Sequence, residues 1–378
     1  MKVVIAMDSL KGSLSSVEAG NAVKEGILRA CHAQVTVKPL ADGGEGTAQA
    51  LVEGLGGTFA ESVVTGPMGS PTAAKYGILE DKRTAVMEIA EASGIVLVKR
   101  EELNPWKAST VGVGEMILDA VKRGCRDFLI GIGGSATTEG GIGMLQALGY
   151  EFYDGQGHLL PPLFESLAKI EKISAAHVPD VLKECRFRIA CDVTNPLCGT
   201  NGAVSIFGPQ KGVKPEEKQV MDGAMQHYAK KTAEFAGKDF REFPGAGAAG
   251  GLGFAFLSYL PHVVLESGID MVLKAVDLEK ELRDADFVVT GEGRLDAQTA
   301  MGKAPVGVAH LAKKYGCRVI GFAGSVTDDA GVCNTEGIDA FFPIVRGVTT
   351  LEEALQKEQA RKHMALSAEQ VFRLIQVC

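Results

Sequence analysis

Charged side chains of this 378-residue sequence gather in short segments that directly follow apolar runs. The first run, Val3–Met7, leads into Asp8 and Lys11. A predicted helix begins shortly afterwards, with Ser15 or Ser16 as its N-cap. Because a helix N-terminus and a nearby lysine both attract anions, this segment suits a phosphate group. The alternative is that the serines only cap the helix while the lysine is solvated.

The next apolar run, Val35–Leu40, leads into a glycine-rich turn that carries two acids. Its candidate ligand-binding residues are Asp42, Gly43, Gly44 and Glu45. Two carboxylates this close together could hold Mg²⁺ or take a proton from a hydroxyl group. A hydrated turn, whose acid complements the dipole of the following helix, is the alternative.

A third loop connects the apolar run Phe128–Ile132 to a helix predicted near residue 142. Its candidate anion-binding residues are Gly133, Gly134, Ser135 and Thr137. Backbone N–H groups and hydroxyls in such a loop can cradle an anion. The alternative is that the glycines only make a tight turn.

A late segment carries four charges between an apolar strand and a predicted helix: Glu292, Arg294, Asp296 and Lys303. Phosphoryl transfer needs cations for the phosphates, a carboxylate-held Mg²⁺ and a carboxylate near the acceptor hydroxyl. The charged loops together offer all of these groups. The alternative is that the charges form structural ion pairs.

The elements that position these loops alternate between short β-branched runs and helix-length stretches at both ends of the chain, which predicts βαβ units. We expect the two ends to share one parallel sheet as a domain of residues 1–58 plus 285–378, with residues 59–284 as an inserted α/β domain. Phe59–Ala90 reads as an antiparallel meander, and Val111–Thr137 could join either sheet. Because ligands bind at the carboxyl ends of strands in open α/β sheets, several of the loops should face one cleft.

Composition narrows the class of protein. The net charge of −8 and the lack of a Lys/Arg-dense block argue against a nucleic-acid or membrane-surface partner and favour small molecules. The first apolar run is too short for a signal-peptide core, so we expect a cytoplasmic protein. The eight scattered cysteines are expected to be reduced thiols. The oligomeric state is left open.

The sequence lacks one common nucleotide-binding motif and matches another. No G-x-x-x-x-G-K-[ST] sequence occurs. Gly245–Gly250 (GAGAAG) matches G-x-G-x-x-G, although Arg241–Pro244 before it make a poor strand. The segment is more credible as a flexible or anion-cradling loop. Two rivals to phosphoryl transfer stay open: a nicotinamide-dependent hydroxy-acid oxidoreductase and a non-catalytic binding protein for a small acid.

Long segments of the sequence resemble the type 1 glycerate kinase family: DSLKGS (8–13), PLADGGEGT (39–47), GIGGSATTEGGIGMLQALG (131–149), CDVTNPLCG (191–199), GPQKG (208–212), GAGAAGGLG (245–253) and GEGRLDAQTAMGKAPVGVA (291–309). The resemblance implies an α/β fold with a flavodoxin-like domain built from both chain ends, a second mixed α/β domain, and an active site in the cleft between them. It also implies ATP-dependent phosphorylation of glycerate with Mg²⁺, with 2-phosphoglycerate as the expected product.

Roles follow for the candidate residues. The expected catalytic residues are Asp8, Lys11, Arg294 and Asp296. The expected substrate- or ATP-binding residues are Asp42, Gly43, Gly44, Glu45, Gly133, Gly134, Ser135, Thr137, Asn195 and Lys303. Asp192 and Glu292 are the expected Mg²⁺ ligands, and Arg294 is the first choice for the glycerate carboxylate. The general base stays open among Asp296, Asp8 and Asp42, and so does the choice between the 2- and 3-hydroxyl.

Overall fold

The computed structural model describes residues 1–377, which form thirteen β-strands, fourteen α-helices and several short 3₁₀ helices. The strands are β1 (Lys2–Met7), β2 (Gln34–Pro39), β3 (Gly57–Thr65), β4 (Pro71–Leu79), β5 (Thr84–Glu88), β6 (Asp127–Gly131), β7 (Glu151–Tyr153), β8 (Lys172–Ser174), β9 (Arg186–Ala190), β10 (Val263–Glu266), β11 (Phe287–Leu295), β12 (Arg318–Val326) and β13 (Ala340–Pro343). The helices are α1 (Ser16–Ala30), α2 (Thr47–Leu55), α3 (Ala90–Ser93), α4 (Val111–Lys122), α5 (Ile142–Ala147), α6 (Ala203–Phe207), α7 (Lys218–Ala236), α8 (Ala248–Tyr259), α9 (Gly268–Ala275), α10 (Leu278–Leu282), α11 (Ala304–Lys313), α12 (Val332–Thr335), α13 (Leu351–Leu355) and α14 (Lys357–Val377).

Both chain ends build the first compact unit, which consists of residues 1–56 and the chain from Gly268 onward. Its sheet has five strands in the order β13-β12-β11-β1-β2, and every pair of neighbours is parallel. The predicted sheet shared by the two ends is therefore confirmed, with Val3–Met7 and Val319–Ala323 in the same sheet.

The first unit buries an apolar core between its sheet and the helices α1 and α14. Residues Val3–Met7 of β1 are almost fully buried, as a strand in the middle of a covered parallel sheet must be. Gly26 lets α1 approach α14 closely, because a Cβ there would lie 2.1 Å from the backbone oxygen of Ala365. The two ends of the chain are thus locked together by packing as well as by strand pairing.

The second unit, residues 57–267, contains a six-stranded mixed sheet in the order β10-β9-β6-β5-β4-β3. Strands β3, β4 and β5 pair antiparallel, which confirms the meander predicted over Phe59–Ala90. Strands β5, β6, β9 and β10 pair parallel, so the unit around Val111–Thr137 belongs to this second sheet. A two-stranded pair, β7 with β8, completes the unit.

The contact-based units divide at slightly different positions from the predicted domains. The segment 268–284, which contains α9 and α10, groups with the first unit, whereas the sequence prediction places it in the inserted domain. Ile269 of α9 packs against α11 at Gly307, where a Cβ would lie 2.5 Å from its side chain. The boundaries 58 and 284 stay a prediction. Within residues 1–377, no helix is long and apolar enough to cross a membrane.

Candidate active site

The start of α1 is tied to the carboxyl ends of two strands in the first unit. The Ser16 hydroxyl donates to the backbone oxygen of Met7 at 2.7 Å and accepts from the backbone N–H of Leu40 at 2.8 Å. Ser15 caps the helix, because its Oγ accepts from the Glu18 N–H at 3.3 Å while the Glu18 carboxylate accepts from the Ser15 N–H at 3.0 Å. The Ser16 hydroxyl therefore connects the ends of β1 and β2 to the start of α1.

Asp8 is the buried carboxylate of this edge. Its side chain follows β1, is 7% exposed, and accepts the Ser9 N–H at 2.7 Å, while its own N–H donates to the Gly291 oxygen at 2.8 Å. Burial, reinforced by the negative charges of Asp42 and Glu292, raises the pKa of Asp8 to about 7. A carboxyl group in that state can exchange a proton near neutral pH.

Lys11 and Glu45 line the same cleft as Asp8, together with the first turn of α1. This cleft has a volume of about 380 Å³ and lies wholly within the first unit. The Lys11 side chain is exposed, and its positive charge partly offsets the rise in the pKa of Asp8, which places the ammonium near the carboxylate. The predicted juxtaposition of a cation and a carboxylate at this loop is present.

Strand β11 extends further than the sequence predicts. Glu292 and Arg294 lie on the strand itself, paired in register with Ala323 and Ser325 of β12, rather than in a loop after it. The apolar run ends at Thr290, so the hydrophobic pattern stops before the backbone pairing does. Glu292 and Arg294 still lie at the carboxyl end of β11.

A glycine makes the close approach of β12 to β11 possible. A Cβ at Gly291 would lie 1.9 Å from the Phe322 backbone oxygen, and one at Gly293 would lie 3.4 Å from the Lys11 backbone nitrogen. Gly291 is therefore required for the close packing of β11 against β12, whereas the Lys11 backbone lies at an ordinary contact distance from Gly293.

The carboxylates of Glu292 and Asp296 both accept hydrogen bonds from Thr299. The Thr299 hydroxyl donates to Glu292 Oε1 at 2.6 Å, and Asp296 Oδ1 accepts the N–H groups of Gln298 at 2.9 Å and Thr299 at 3.2 Å. Burial raises the pKa of Glu292, and the charges of Asp296 and Asp42 act in the same direction. Asp296 thus organises the turn after β11 as well as contributing charge.

Two cations flank Asp296. Arg294 Nε lies 3.7 Å from Asp296 Oδ2, and Lys303 Nζ lies 3.9 Å from Asp296 Oδ1. Both distances are long for a tight ion pair, and the two basic side chains are 64% and 38% exposed. Arg294 and Lys303, the latter at the N-cap of α11, are therefore open to an anionic ligand.

The turn after β2 is held by its own backbone. Asp42 Oδ1 accepts the Gly44 N–H at 2.9 Å, and Gly43 adopts a φ of 86° that favours glycine. Gly268 lies so close that a Cβ there would be 2.0 Å from the Asp42 backbone oxygen. Asp42 is half-buried and Glu45 is exposed, so both carboxylates can meet a ligand or an ion.

The loop after β6 belongs to the second unit. Gly133 and Gly134 are exposed, and their N–H groups donate to no acceptor within the described residues. Ser135 and Thr137 are buried instead, and the Thr137 hydroxyl finds no partner among those residues. The two glycine amides form the part of this loop that can meet an anion.

The loop after β9 carries Asp192 and Asn195, also in the second unit. Asn195 Nδ2 donates to the Asn201 oxygen at 2.8 Å, so this amide orders its own loop. The Asp192 side chain is exposed. Their predicted roles toward substrate and metal stay predictions.

The GAGAAG segment is a packing element and not a dinucleotide loop. Residues 241–244, directly before Gly245, form no strand, and residues 249–251 all adopt positive φ. A Cβ at Gly250 would lie 2.1 Å from the Thr137 oxygen, and the Gly250 oxygen accepts the Gly140 N–H at 2.9 Å. Gly247 donates to the Asn195 oxygen at 3.0 Å. The segment supports the loops after β6 and β9, which corrects its interpretation as a flexible or anion-cradling loop.

Sequence reasoning assigned no role to Lys211 and Glu139, the buried charges of the second unit. Lys211 is 2% exposed and Glu139 is fully buried. The Lys211 ammonium donates to Ser135 Oγ at 2.7 Å and to the Thr137 oxygen at 2.6 Å. Two sequence signals could have pointed to these residues: the lysine between glycines in GPQKG and the acid before two glycines in TTEGG.

A divalent cation fits the chemistry of the first unit. Burial and the negative charges of Asp42 and Glu292 raise the pKa of Asp8, burial and those of Asp42 and Asp296 raise the pKa of Glu292, and carboxylate oxygens are the ligands that Mg²⁺ prefers. The described residues contain no cluster of three or more acids, histidines or cysteines arranged as a protein-only metal site. In proteins, Mg²⁺ usually combines one or two carboxylates with substrate phosphates.

Comparisons with known proteins agree with one another. The model of the glycerate kinase family matches residues 3–376. A glycerate kinase of Bacillus subtilis is 45% identical over 98% of this chain and 97% of its own length, and a glycerate 2-kinase of Escherichia coli is 45% identical over 94% and 93%. A crystal structure of a putative glycerate kinase 2 from Salmonella typhimurium superposes with a TM-score of 0.91 at 42% identity, covering 100% of this chain and 98% of that one. Since family model, sequence and fold all match over nearly the full length, the resemblance of the motifs is confirmed and the chain belongs to the glycerate kinase family.

Proposed function

We propose that this protein transfers the γ-phosphate of ATP to a hydroxyl group of glycerate. The observation that carries the proposal is the match to the glycerate kinase family over residues 3–376. The charged groups of the first unit support it, since they supply the carboxylates and cations that phosphoryl transfer requires. The two alternative functions lack support. A nicotinamide-dependent oxidoreductase would need a strand directly before the G-x-G-x-x-G match, which is absent at residues 241–244. A non-catalytic binding protein is disfavoured because the relatives from B. subtilis and E. coli are named as kinases.

Asp8 is the proposed general base. It lines the cleft with Lys11, whereas Asp42 and Asp296 do not, and Asp296 already accepts two backbone N–H groups of its own turn. A base whose pKa lies near the working pH combines a useful ionised fraction with a useful driving force. Asp8 would take the proton of the attacking glycerate hydroxyl.

The cations would neutralise the transferred charge and hold the substrates. Lys11 and Lys303 are the proposed partners of the phosphates, and Arg294 is the proposed partner of the glycerate carboxylate, because a guanidinium can pair with a carboxylate through two hydrogen bonds. The N–H groups of Gly133 and Gly134 would bind a further anionic oxygen. These roles require no covalent phosphoenzyme.

Mg²⁺ is the proposed ion. Glu292, beside Asp8 and Asp42, would contribute a ligand from the first unit, and Asp192 stays a proposed ligand from the second. When bound, such an ion neutralises phosphate charge and orients the phosphate chain.

The proposed product is 2-phosphoglycerate. The relative from E. coli is named a glycerate 2-kinase and is 45% identical to this chain. Identification of the product tests the position of the phosphate.

A coupled assay for ADP tests the activity. We expect ADP release only when ATP, D-glycerate and Mg²⁺ are all present, and loss of activity when EDTA is added. Equal ADP release with glycerol, or none with glycerate, would refute the proposal, while glycerate binding without turnover would favour a non-catalytic binder. NADH consumption serves as the control for the oxidoreductase reading. A phosphorus NMR spectrum of the product decides between the two positions.

A further inference from the structure

A buried ammonium group cross-links the anion-binding loop of the second unit. Lys211 Nζ donates to Ser135 Oγ at 2.7 Å and to the Thr137 oxygen at 2.6 Å. The side chain is 2% exposed, so these bonds are made in a medium where a charged group is expensive to bury. A fold keeps such a lysine only where its hydrogen bonds are well satisfied or serve the site.

The backbone around Lys211 forms a tight turn that places the lysine side chain in the interior of the second unit. The 3₁₀ turn Pro209–Lys211 ends at Gly212, whose φ of 101° is open to glycine, and the Lys211 N–H donates to the Gly208 oxygen at 2.9 Å. A Cβ at Gly208 would lie 2.2 Å from the Val204 oxygen. Both glycines are therefore needed for the turn that carries the lysine inward.

A buried acid compensates the charge from the same loop. Glu139 Oε1 accepts the N–H groups of Thr110 at 2.8 Å and Gly143 at 3.3 Å, and it also accepts the Thr110 hydroxyl. Glu139 Oε2 has no hydrogen-bond partner in residues 1–377. Burial lowers the pKa of Lys211 to about 7, and the charge of Glu139 opposes that shift. Lys211 thus holds Ser135 and Thr137, while Glu139 ties the end of the same segment to Thr110 and Gly143.

The same loop begins with two exposed glycines, Gly133 and Gly134, whose N–H groups lack an acceptor within the described residues. Other contacts hold the loop from outside: the Ala136 N–H donates to the Ser93 oxygen and the Ile95 N–H to the Gly134 oxygen, both at 2.8 Å. Lys211 is the only charged side chain among these contacts of the described chain. Its two bonds fix the residues immediately after the glycine pair.

We propose that Lys211 is a positioning residue that holds the Gly133–Thr137 loop in the conformation that binds an anionic substrate. It acts through Ser135 and Thr137 rather than by touching substrate itself. The proposal rests on the proposed function, because it assumes that this loop meets the phosphates of ATP or the carboxylate of glycerate.

Two measurements on the full chain test it, with Lys211→Met as the variant and Lys214→Met as the matched control. Met keeps the length of the side chain and removes the donor, and Lys214 is an exposed lysine of the same segment. We expect the KM of one substrate to rise about tenfold, the usual scale for losing a charge-assisted hydrogen bond, with a smaller change in kcat. We also expect exchange of the Ala136 amide hydrogen, which is bonded to the Ser93 oxygen, to accelerate at least about tenfold, since loop opening becomes easier.

The outcomes separate the two proposals. A threefold or greater rise in one KM together with faster Ala136 exchange, both absent from Lys214→Met, supports the positioning role. Smaller changes in both KM values, or unchanged Ala136 exchange, overturn it even if the protein is less stable. If the wild-type protein releases no ADP with glycerate, the proposed function fails, and the exchange measurement still decides whether Lys211 holds the loop.

Ser135→Ala provides a second route if Lys211→Met does not fold. This change removes one acceptor and retains the lysine, so the expected rise in KM is about threefold and Ala136 exchange again accelerates. Where Lys211→Met does fold, the double variant adds a further check, because the two effects should be less than additive if both residues act through the same bond. Full additivity, or unchanged Ala136 exchange in Ser135→Ala, contradicts the proposal.

Discussion

The two units present their candidate site residues in opposite ways. In the first, charged side chains stand at the carboxyl edge of a parallel sheet, and Arg294 and Lys303 keep 64% and 38% of their side-chain surface exposed. In the second, Lys211 and Glu139 are buried, and the loop after β6 exposes the backbone of a glycine pair. The first region offers exposed cations beside carboxylates, whereas the second offers backbone N–H groups on a loop that a buried lysine holds.

This difference suggests how the work is divided. Chemistry that moves a proton needs a group with an adjustable pKa, which the first region has in Asp8. Holding an anion in one orientation needs preorganised donors that cost no rearrangement, which the loop after β6 can supply. Substitutions in the first region should therefore change rate, and substitutions in the second should change binding and stability.

The largest expected effect comes from Asp8→Asn. If Asp8 is the base, kcat should fall by about 10²–10⁴-fold, the usual contribution of a general base. Glu53→Gln is the control: this exposed residue lines the same cleft, its carboxylate accepts from Gln49 of the same helix, and it has no proposed role in the reaction, so kcat should stay within about twofold. Initial rates at saturating substrates measure both. Retention of a tenth or more of the wild-type rate would remove Asp8 from the role of base.

Lys11→Ala and Asp296→Ala should each reduce turnover by at least about a hundredfold, because each removes one positioned charge. Thermal unfolding should change little for Lys11→Ala, whose side chain is exposed. Lys280→Ala, an exposed lysine elsewhere in the first unit, is the control. A destabilised but fully active Asp296→Ala enzyme would show that this carboxylate only orders the turn that holds Thr299.

In the second region, Gly250→Ala should lower the free energy of unfolding by roughly 2 kcal/mol, because the new Cβ would meet the Thr137 oxygen and the backbone has a positive φ. Gly223→Ala is the matched control: this exposed helical glycine has no neighbour within 4 Å of a Cβ, so its replacement should stabilise by about 0.5–1 kcal/mol. Denaturant titration compares the two. Equal stability of both variants would contradict the role of GAGAAG as a packing element.

The smallest effect is a change in the pH dependence of stability. Asp8 has a raised pKa of about 7 in the folded protein, so between pH 4 and 7 the folded state binds a proton that the unfolded state has released, and stability falls as pH rises through this window. Asp8→Asn removes this loss and should gain roughly 1–2 kcal/mol relative to wild type at pH 8 compared with pH 5. Urea unfolding at both pH values measures the difference. An unchanged difference would mean that Asp8 ionises normally.

Much of the architecture could be predicted because it depends on local pattern. Alternating apolar runs and helical periods predicted the shared parallel sheet, and turn-rich extended segments predicted the meander. Ser15 could be named as a candidate cap from its position before an apolar helix. The end of β11 could not be predicted, since Glu292 and Arg294 continue the strand through pairing with β12, which a polar sequence does not announce.

The sequence by itself determined the family, the two-part α/β organisation and the loops in which charge and glycine concentrate, because long motifs and hydrophobic periodicity are properties of neighbours along the chain. Only the tertiary structure decided which charges are buried. Lys211 became a partner of Ser135 through a fold that joins residues far apart in sequence, and Asp8 acquired its raised pKa from burial beside Asp42 and Glu292. Desolvation and long-range contact depend on distances in space, and a linear pattern carries no record of them.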